Sequence, residues 1–291
     1  GIAMGTTNFG VQSFSGSEVT NAVVTGNVIS DVIHAGTFSA GAVVVVAATS
    51  GTTLIANNSI SGVGTNARDG DLGVGIFVGG GVGSTTRVLH NSVSLSGSFS
   101  TTSQTADSNF AVAIGSGDPV VEMRNNALSN TLVYTTPDTA QGVSHVIGVA
   151  SSTFTNLTSD HNLLFAPAAG KFAIGRTGTL SRSGGTNLST LADWQTASGK
   201  ETSSLSVDPI FASSSDLTVL STSPLVNGGT PVVGVTTDIT GVLRSSTTPT
   251  IGAYETQAAL EAWRQFYFGS TVNSGNGANT ANGEGDGLVE I

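Results

Sequence analysis

The run Arg87-Val88-Leu89-His90-Asn91-Ser92-Val93 decides how this chain folds, because its plan occurs five times. The other copies are Val23-Val24-Thr25-Gly26-Asn27-Val28-Ile29, Thr53-Leu54-Ile55-Ala56-Asn57-Asn58-Ser59-Ile60, Val121-Glu122-Met123-Arg124-Asn125-Asn126-Ala127-Leu128 and Asp160-His161-Asn162-Leu163-Leu164. Each has a short β-prone stretch, then an asparagine, then an aliphatic residue. The asparagines (Asn27, Asn58, Asn91, Asn126 and Asn162) are 31, 33, 35 and 36 residues apart. A second phrase of small and aliphatic residues, often closing on glycine, falls between them. It reads Gly1-Ile2-Ala3-Met4-Gly5, Gly75-Ile76-Phe77-Val78-Gly79, Ala111-Val112-Ala113-Ile114-Gly115 and Lys171-Phe172-Ala173-Ile174-Gly175, with residues 43–46 and 146–149 as looser copies.

A period near 33 residues also suits helical arrays, but each of their units needs two helices. These units are rich in Val, Ile, Thr, Ser and Gly, which are poor helix formers as a set and mostly good strand formers. Their apolar blocks run four to seven residues between Gly, Asn and Ser clusters, which is strand length. The repeat therefore predicts an all-β parallel β-helix of about six coils over residues 1–255. Coils pair in parallel about 4.8 Å apart. Asparagines at equivalent corners can then stack as a hydrogen-bonded ladder, and the expectation places the corner's left-handed backbone on those same residues. Alternation along each strand sends the aliphatic side chains into the bore.

Composition bounds the rest. Only 10% of the residues are charged, the net charge is −10, and Lys171 and Lys200 are the two lysines. No run of Lys or Arg could neutralise phosphates, which argues against nucleic acid. With no cysteine there is no disulfide scaffold or thiolate zinc site. The longest apolar stretch, residues 42–48, is too short to span a bilayer. The chain opens without a charged and apolar leader, so the expectation is a processed product or fragment whose targeting signal lies outside it.

Past residue 175 the repeat loosens. Thr190-Leu191-Ala192-Asp193 has the form of a capping box, Trp194 follows, and Gly199 stands where a two-turn helix would stop. Then come Ser204-Leu205-Ser206-Val207-Asp208-Pro209-Ile210-Phe211, Asp216-Leu217-Thr218-Val219, Ser223-Pro224-Leu225-Val226-Asn227-Gly228-Gly229, Asp238-Ile239-Thr240-Gly241-Val242-Leu243-Arg244 and Ile251-Gly252-Ala253-Tyr254-Glu255. In order and spacing this series resembles the C-terminal part of bacterial secreted or cell-surface right-handed parallel β-helix proteins, the pectate-lyase-like solenoids. Asn227 and Thr250 depart from acidic residues usual in that pattern. The resemblance implies a right-handed solenoid and an extracellular or cell-surface location. It leaves the chemistry open, since relatives include polysaccharide lyases and hydrolases as well as proteins without activity.

Residues 256–291 form a separate segment: a short helix over 258–269, then an Asn- and Gly-rich acidic tail. It resembles the helix and calcium loop that follow β-helices in surface proteins of Verrucomicrobia-like bacteria. Asn282, Glu284, Asp286 and Glu290 fall at oxygen-ligand positions of an EF-hand-like frame, which makes calcium the one candidate cofactor. Asn282 stands where aspartate is usual, and position 12 lies beyond the chain, so a solvated acidic tail is the preferred reading.

Elsewhere candidate chemistry is sparse. Arg68-Asp69-Gly70-Asp71 pairs carboxylates beside a strand, but neighbouring coils offer none to match, and a polar turn explains it better. His34, His90, His145 and His161 have no zinc-helix spacing. No Gly-x-Ser-x-Gly elbow occurs, and Gly79-Gly80-Gly81-Val82-Gly83 lacks the lysine of a phosphate loop. Asp238 and Arg244 read as a structural pair. The sequence thus points to a structural or adhesive surface module without catalysis, partnered by itself head to tail or by further coils. The alternative is a polysaccharide-binding or polysaccharide-degrading β-helix.

Overall fold

The computed structural model describes residues 1–6, 8–10, 14–15, 19–67, 70–100, 108–135 and 142–256, together with 264, 267–269, 274, 275 and 278. The chain winds as a parallel β-solenoid of about four turns, fewer than the six expected, with three stacked faces. The wide face stacks Ile2–Met4, Ala40–Ala47, Gly73–Gly80, Asn109–Ile114, Ser144–Val149 and Phe172–Thr177 in parallel, and closes with Thr186–Leu188 antiparallel. The second face stacks Val23–Thr25, Thr52–Ala56, Thr85–Leu89, Val120–Arg124 and Leu157–Asp160. The third stacks Val28–Ile29, Ser59–Ser61, Ser92–Leu95, Ala127–Asn130 and Leu163–Phe165.

Register aligns like with like. The bore is filled by columns such as Val43, Ile76, Val112 and Ile147 on the wide face and Ile29, Ile60, Val93, Leu128 and Leu164 on the third. At the last rung Ile147 is in register with Gly175, and the space a side chain would take there is filled by Trp194, which is fully buried. Trp194 comes from the helix Leu191–Ser198, capped by Thr190 and Asp193 at one end and by Gly199 at φ 68° at the other. The Phe154 ring meets the Trp194 ring edge-on at 5.5 Å. Helix and antiparallel strand together plug this end of the bore.

The wide face is buried on both sides. Val44, Val46, Val74, Phe77 and Phe110 point away from the bore and are covered by Phe9 and Leu180. This is why residues 42–48 read as a continuous apolar run instead of alternating. The third face is covered too: Ser92 and Ala127 lie under residues 205–256, whose Leu225, Ile251 and Tyr254 pack against Ala127 and Leu163.

Arg264, Tyr267 and Phe268 are helical and Gly269 has φ 68°; the rest of the expected 258–269 helix, and Asn282, Glu284, Asp286 and Glu290, lie outside the described residues. No helix among the described residues is long and apolar enough to cross a membrane.

Candidate functional site

Two adjacent columns on the corner between the second and third faces hold most of the polar chemistry. In the first, Asn27, Asn58, Asn91, Asn126 and Asn162 stand one above the next. Each upstream Nδ2 donates to the Oδ1 of the next asparagine, at 2.8, 2.9, 3.0 and 3.0 Å. The same oxygen accepts the upstream backbone N–H, at 3.2, 3.1, 3.0 and 2.9 Å. The second amide hydrogen reaches the other way: Asn58 to the Val24 carbonyl, Asn91 to Ile55, Asn126 to Val88. Every interior amide therefore ties three rungs and leaves no buried hydrogen-bonding capacity idle. The column ends on Glu201, whose carboxylate takes the Asn162 amide and the hydroxyls of Ser159 and Ser204.

The second column lies one residue upstream: Gly26, Asn57, His90, Asn125 and His161. These residues carry the left-handed backbone, with φ of 71, 53, 51, 57 and 56°. This corrects the expectation that the ladder asparagines adopt it. Asn and His are enriched at such angles and glycine is free to adopt them, so the sequence signal lay in the residue before each ladder asparagine.

With the turn made there, the side chains of the second column project outward, and the C-terminal strap docks on them. Asn125 reads the Thr230 backbone in both directions: Oδ1 accepts its N–H at 3.0 Å and Nδ2 donates to its carbonyl at 2.7 Å. Asn57 donates to the Thr237 carbonyl at 2.8 Å and accepts from Arg244 at 2.7 Å. His90 accepts from the Asn125 Nδ2 through Nε2 at 2.9 Å; burial, aided by the Arg244 charge, holds its pKa well below the ordinary range, so it is neutral.

Arg244 closes the strap. It pairs with Glu255 at 3.1 Å, both side chains being almost wholly buried, and donates to the carbonyls of Thr250, Gly252 and Ala253. The ion-pair partner is thus Glu255 and not the expected Asp238, which lies in the same knot but is held by backbone N–H groups and the Thr240 hydroxyl. Asp238 accepts the N–H groups of Thr240, Val242 and Glu255. Burial lowers the Arg244 pKa to about 10 and raises that of Glu255.

The other candidates are scattered. Asp71 binds the Ser39 hydroxyl and N–H at 2.7 and 3.1 Å, tying neighbouring rungs, while Arg68 and Asp69 lie outside the described residues. His145 stacks on Phe110 at 5.0 Å, and burial lowers its pKa to about 4. His161 sits 3.5 Å from Asp160. Among the described residues no three His, Asp or Glu side chains group as a metal site. Cavities flank the solenoid among the described residues. One of about 430 Å³ lies between His90 and the strap residues Pro231, Val235, Leu243 and Arg244. Two more, of about 340 and 320 Å³, share Gly142; Arg176, Arg182 and Asn187 line the first and Tyr134, Lys171 and Phe172 the second.

No protein-family model matches this chain, and no curated protein or solved structure matches it either.

Proposed function

We propose that this chain is a non-catalytic structural or adhesive module of an extracellular or cell-surface protein, of the kind its sequence resembles among bacterial surface β-helices. One observation carries the reading. The polar groups that chemistry would need are spent on holding rungs and strap together: Glu201 on the ladder, Asp71 between rungs, Asp238 and Glu255 in the strap knot, and His90 and His145 buried and neutral. A solenoid tied in this way suits display and attachment, with self-association or stacking of further coils as its means of assembly. Incubation with acidic and neutral polysaccharides, read by reducing ends and by unsaturated products, is expected to show no turnover. Release of either product refutes the reading.

The two cavities that share Gly142 favour one second reading. Arg182 and Lys171, both exposed, beside Phe172 give that surface a lining that suits an acidic glycan, with cations for its carboxylates and a ring for a sugar face. A glycan array separates the two: retention of uronate-containing glycans that is lost in Arg182→Ala supports binding without cleavage.

A further inference from the structure

The ladder has a direction, and the two ends of the solenoid differ because of it. In all four rung pairs the upstream asparagine gives its N–H and Nδ2–H to the Oδ1 of the downstream one. The downstream end of this chain of donors is closed, since Asn162 delivers its amide to Glu201 and the Trp194 helix plugs the bore. At the upstream end, no described group donates to the Asn27 Oδ1. The second Asn27 amide hydrogen, which in interior rungs reaches back to an upstream carbonyl, turns instead to its own Thr25 carbonyl at 3.1 Å.

The rest of that end agrees. Ile2–Met4, Val23–Thr25, Val28–Ile29 and Val32–His34 are each the outermost strand of their sheet. Of their inward residues, Ile2, Met4, Ile29 and Val32 are only half-buried, whereas their register partners Val43, Val45, Ile60 and Val63 are 0–2% exposed; Val24 is already buried. Among the described residues no further strand covers these edges, and open edges over a half-covered core attract one.

We infer that the face formed by Ile2, Met4, Asn27, Ile29 and Val32 is a docking surface for one further β-rung that runs parallel and gives an N–H pair to Asn27 Oδ1. A second copy of this solenoid does not offer that. Head to head, it brings a second acceptor-ended column against the first, with strands antiparallel. Head to tail, its own donors are already consumed, the Asn162 amide by Glu201 and the Asn162 N–H by the Ser204 hydroxyl. The occupant is therefore a β-prone segment carrying the solenoid's repeat with an amide donor at the ladder position. The inference deepens the structural reading by naming the partner's chemistry, yet it rests on hydrogen-bond polarity, so each can fail without the other.

The test is the full chain extended ahead of Gly1 by a copy of residues 52–74, which places Gly75's equivalent at Gly1. Backbone amide exchange over residues 23–34 is expected to slow roughly tenfold. The same extension bearing Asn58→Ala in its duplicated copy is expected to lose most of that protection while the strands still align. Two results overturn the inference: exchange at 23–34 unchanged by the extension, or a concentration-dependent dimer of the unextended chain that already protects those amides. Polysaccharide turnover by either protein would refute only the functional reading.

Discussion

Asn162 gives its side-chain amide to both carboxylate oxygens of Glu201, at 3.2 and 3.0 Å, and there the ladder stops. Upstream, each amide meets the neutral oxygen of another asparagine; here it meets a buried carboxylate that also receives two serine hydroxyls. Burial pushes the Glu201 carboxyl above its ordinary value of 4.5, and the hydroxyl and amide donors pull against that rise. An acid whose folded pKa exceeds its unfolded one binds more protons when folded, so its contribution weakens as pH rises through that interval. Relative to Glu201→Gln, the native chain should gain stability as pH falls toward 4.5. A difference between the two that is flat with pH, followed by urea denaturation, would show that Glu201 is not perturbed.

Position along the ladder sets the cost of losing it. Asn91→Ala removes bonds to Asn126 and Ile55 and strands the buried N–H and amide of Asn58. Buried donors without partners cost about 1–3 kcal/mol each, so a loss of about 3–4 kcal/mol is expected. Asn27→Ala, at the open end, should cost about 1 kcal/mol. Equal losses in chemical denaturation would mean that the column does not act as a chain of buried bonds.

His145 should make the fold acid-sensitive. Its folded pKa is about 4 against an ordinary 6.5, held down first by burial on the Phe110 ring. The unfolded chain then binds the extra proton between those values, and stability is lost as pH drops from 6.5 toward 4, by about 3 kcal/mol in full. His145→Gln should remove this slope, and native and variant chains that respond identically between pH 7 and 4.5 would exclude the mechanism.

Breaking the Arg244–Glu255 pair should free the strap before it disturbs the solenoid. Removing one partner of a buried ion pair costs about 3–5 kcal/mol. In Arg244→Ala, the Asn57 side chain and the carbonyls of Thr250, Gly252 and Ala253 also lose a donor. Limited proteolysis near Val233, already exposed, is expected to accelerate while the amides of residues 73–80 and 109–114 stay protected. Simultaneous loss of both would show that strap and coils unfold as one unit.

The plug can be tested by steric exchange. A Cβ on Gly175 would overlap the Trp194 ring, so Gly175→Ala should destabilise strongly, and Trp194→Ala should cost about 3–5 kcal/mol by emptying the end of the bore. The two losses should not add. Full additivity in a double-mutant cycle would mean that Trp194 does not depend on the space Gly175 leaves.

The solenoid was legible because its repeat is local: strand-length apolar blocks and an asparagine every 31 to 36 residues force equivalent corners into line once parallel pairing is assumed. The Leu191–Ser198 helix was legible for the same reason, its capping box and stop lying within ten residues. The left-handed column was written in the sequence as Gly26, Asn57, His90, Asn125 and His161, but only register separates a ladder residue from its neighbour. The tie between Arg244 and Asn57 had no local signal, since they are 187 residues apart.

By itself, then, the sequence determined the winding, through short-range periodicity and corner chemistry repeated until only one stacking satisfies them all. Tertiary structure alone decided what covers the coils and which end stays open. The strap's hold on the left-handed column, the plugging of the bore by Trp194 and the termination of the ladder on Glu201 all depend on side chains meeting across rungs. Those meetings follow from distance in space, for which spacing along the chain carries no record.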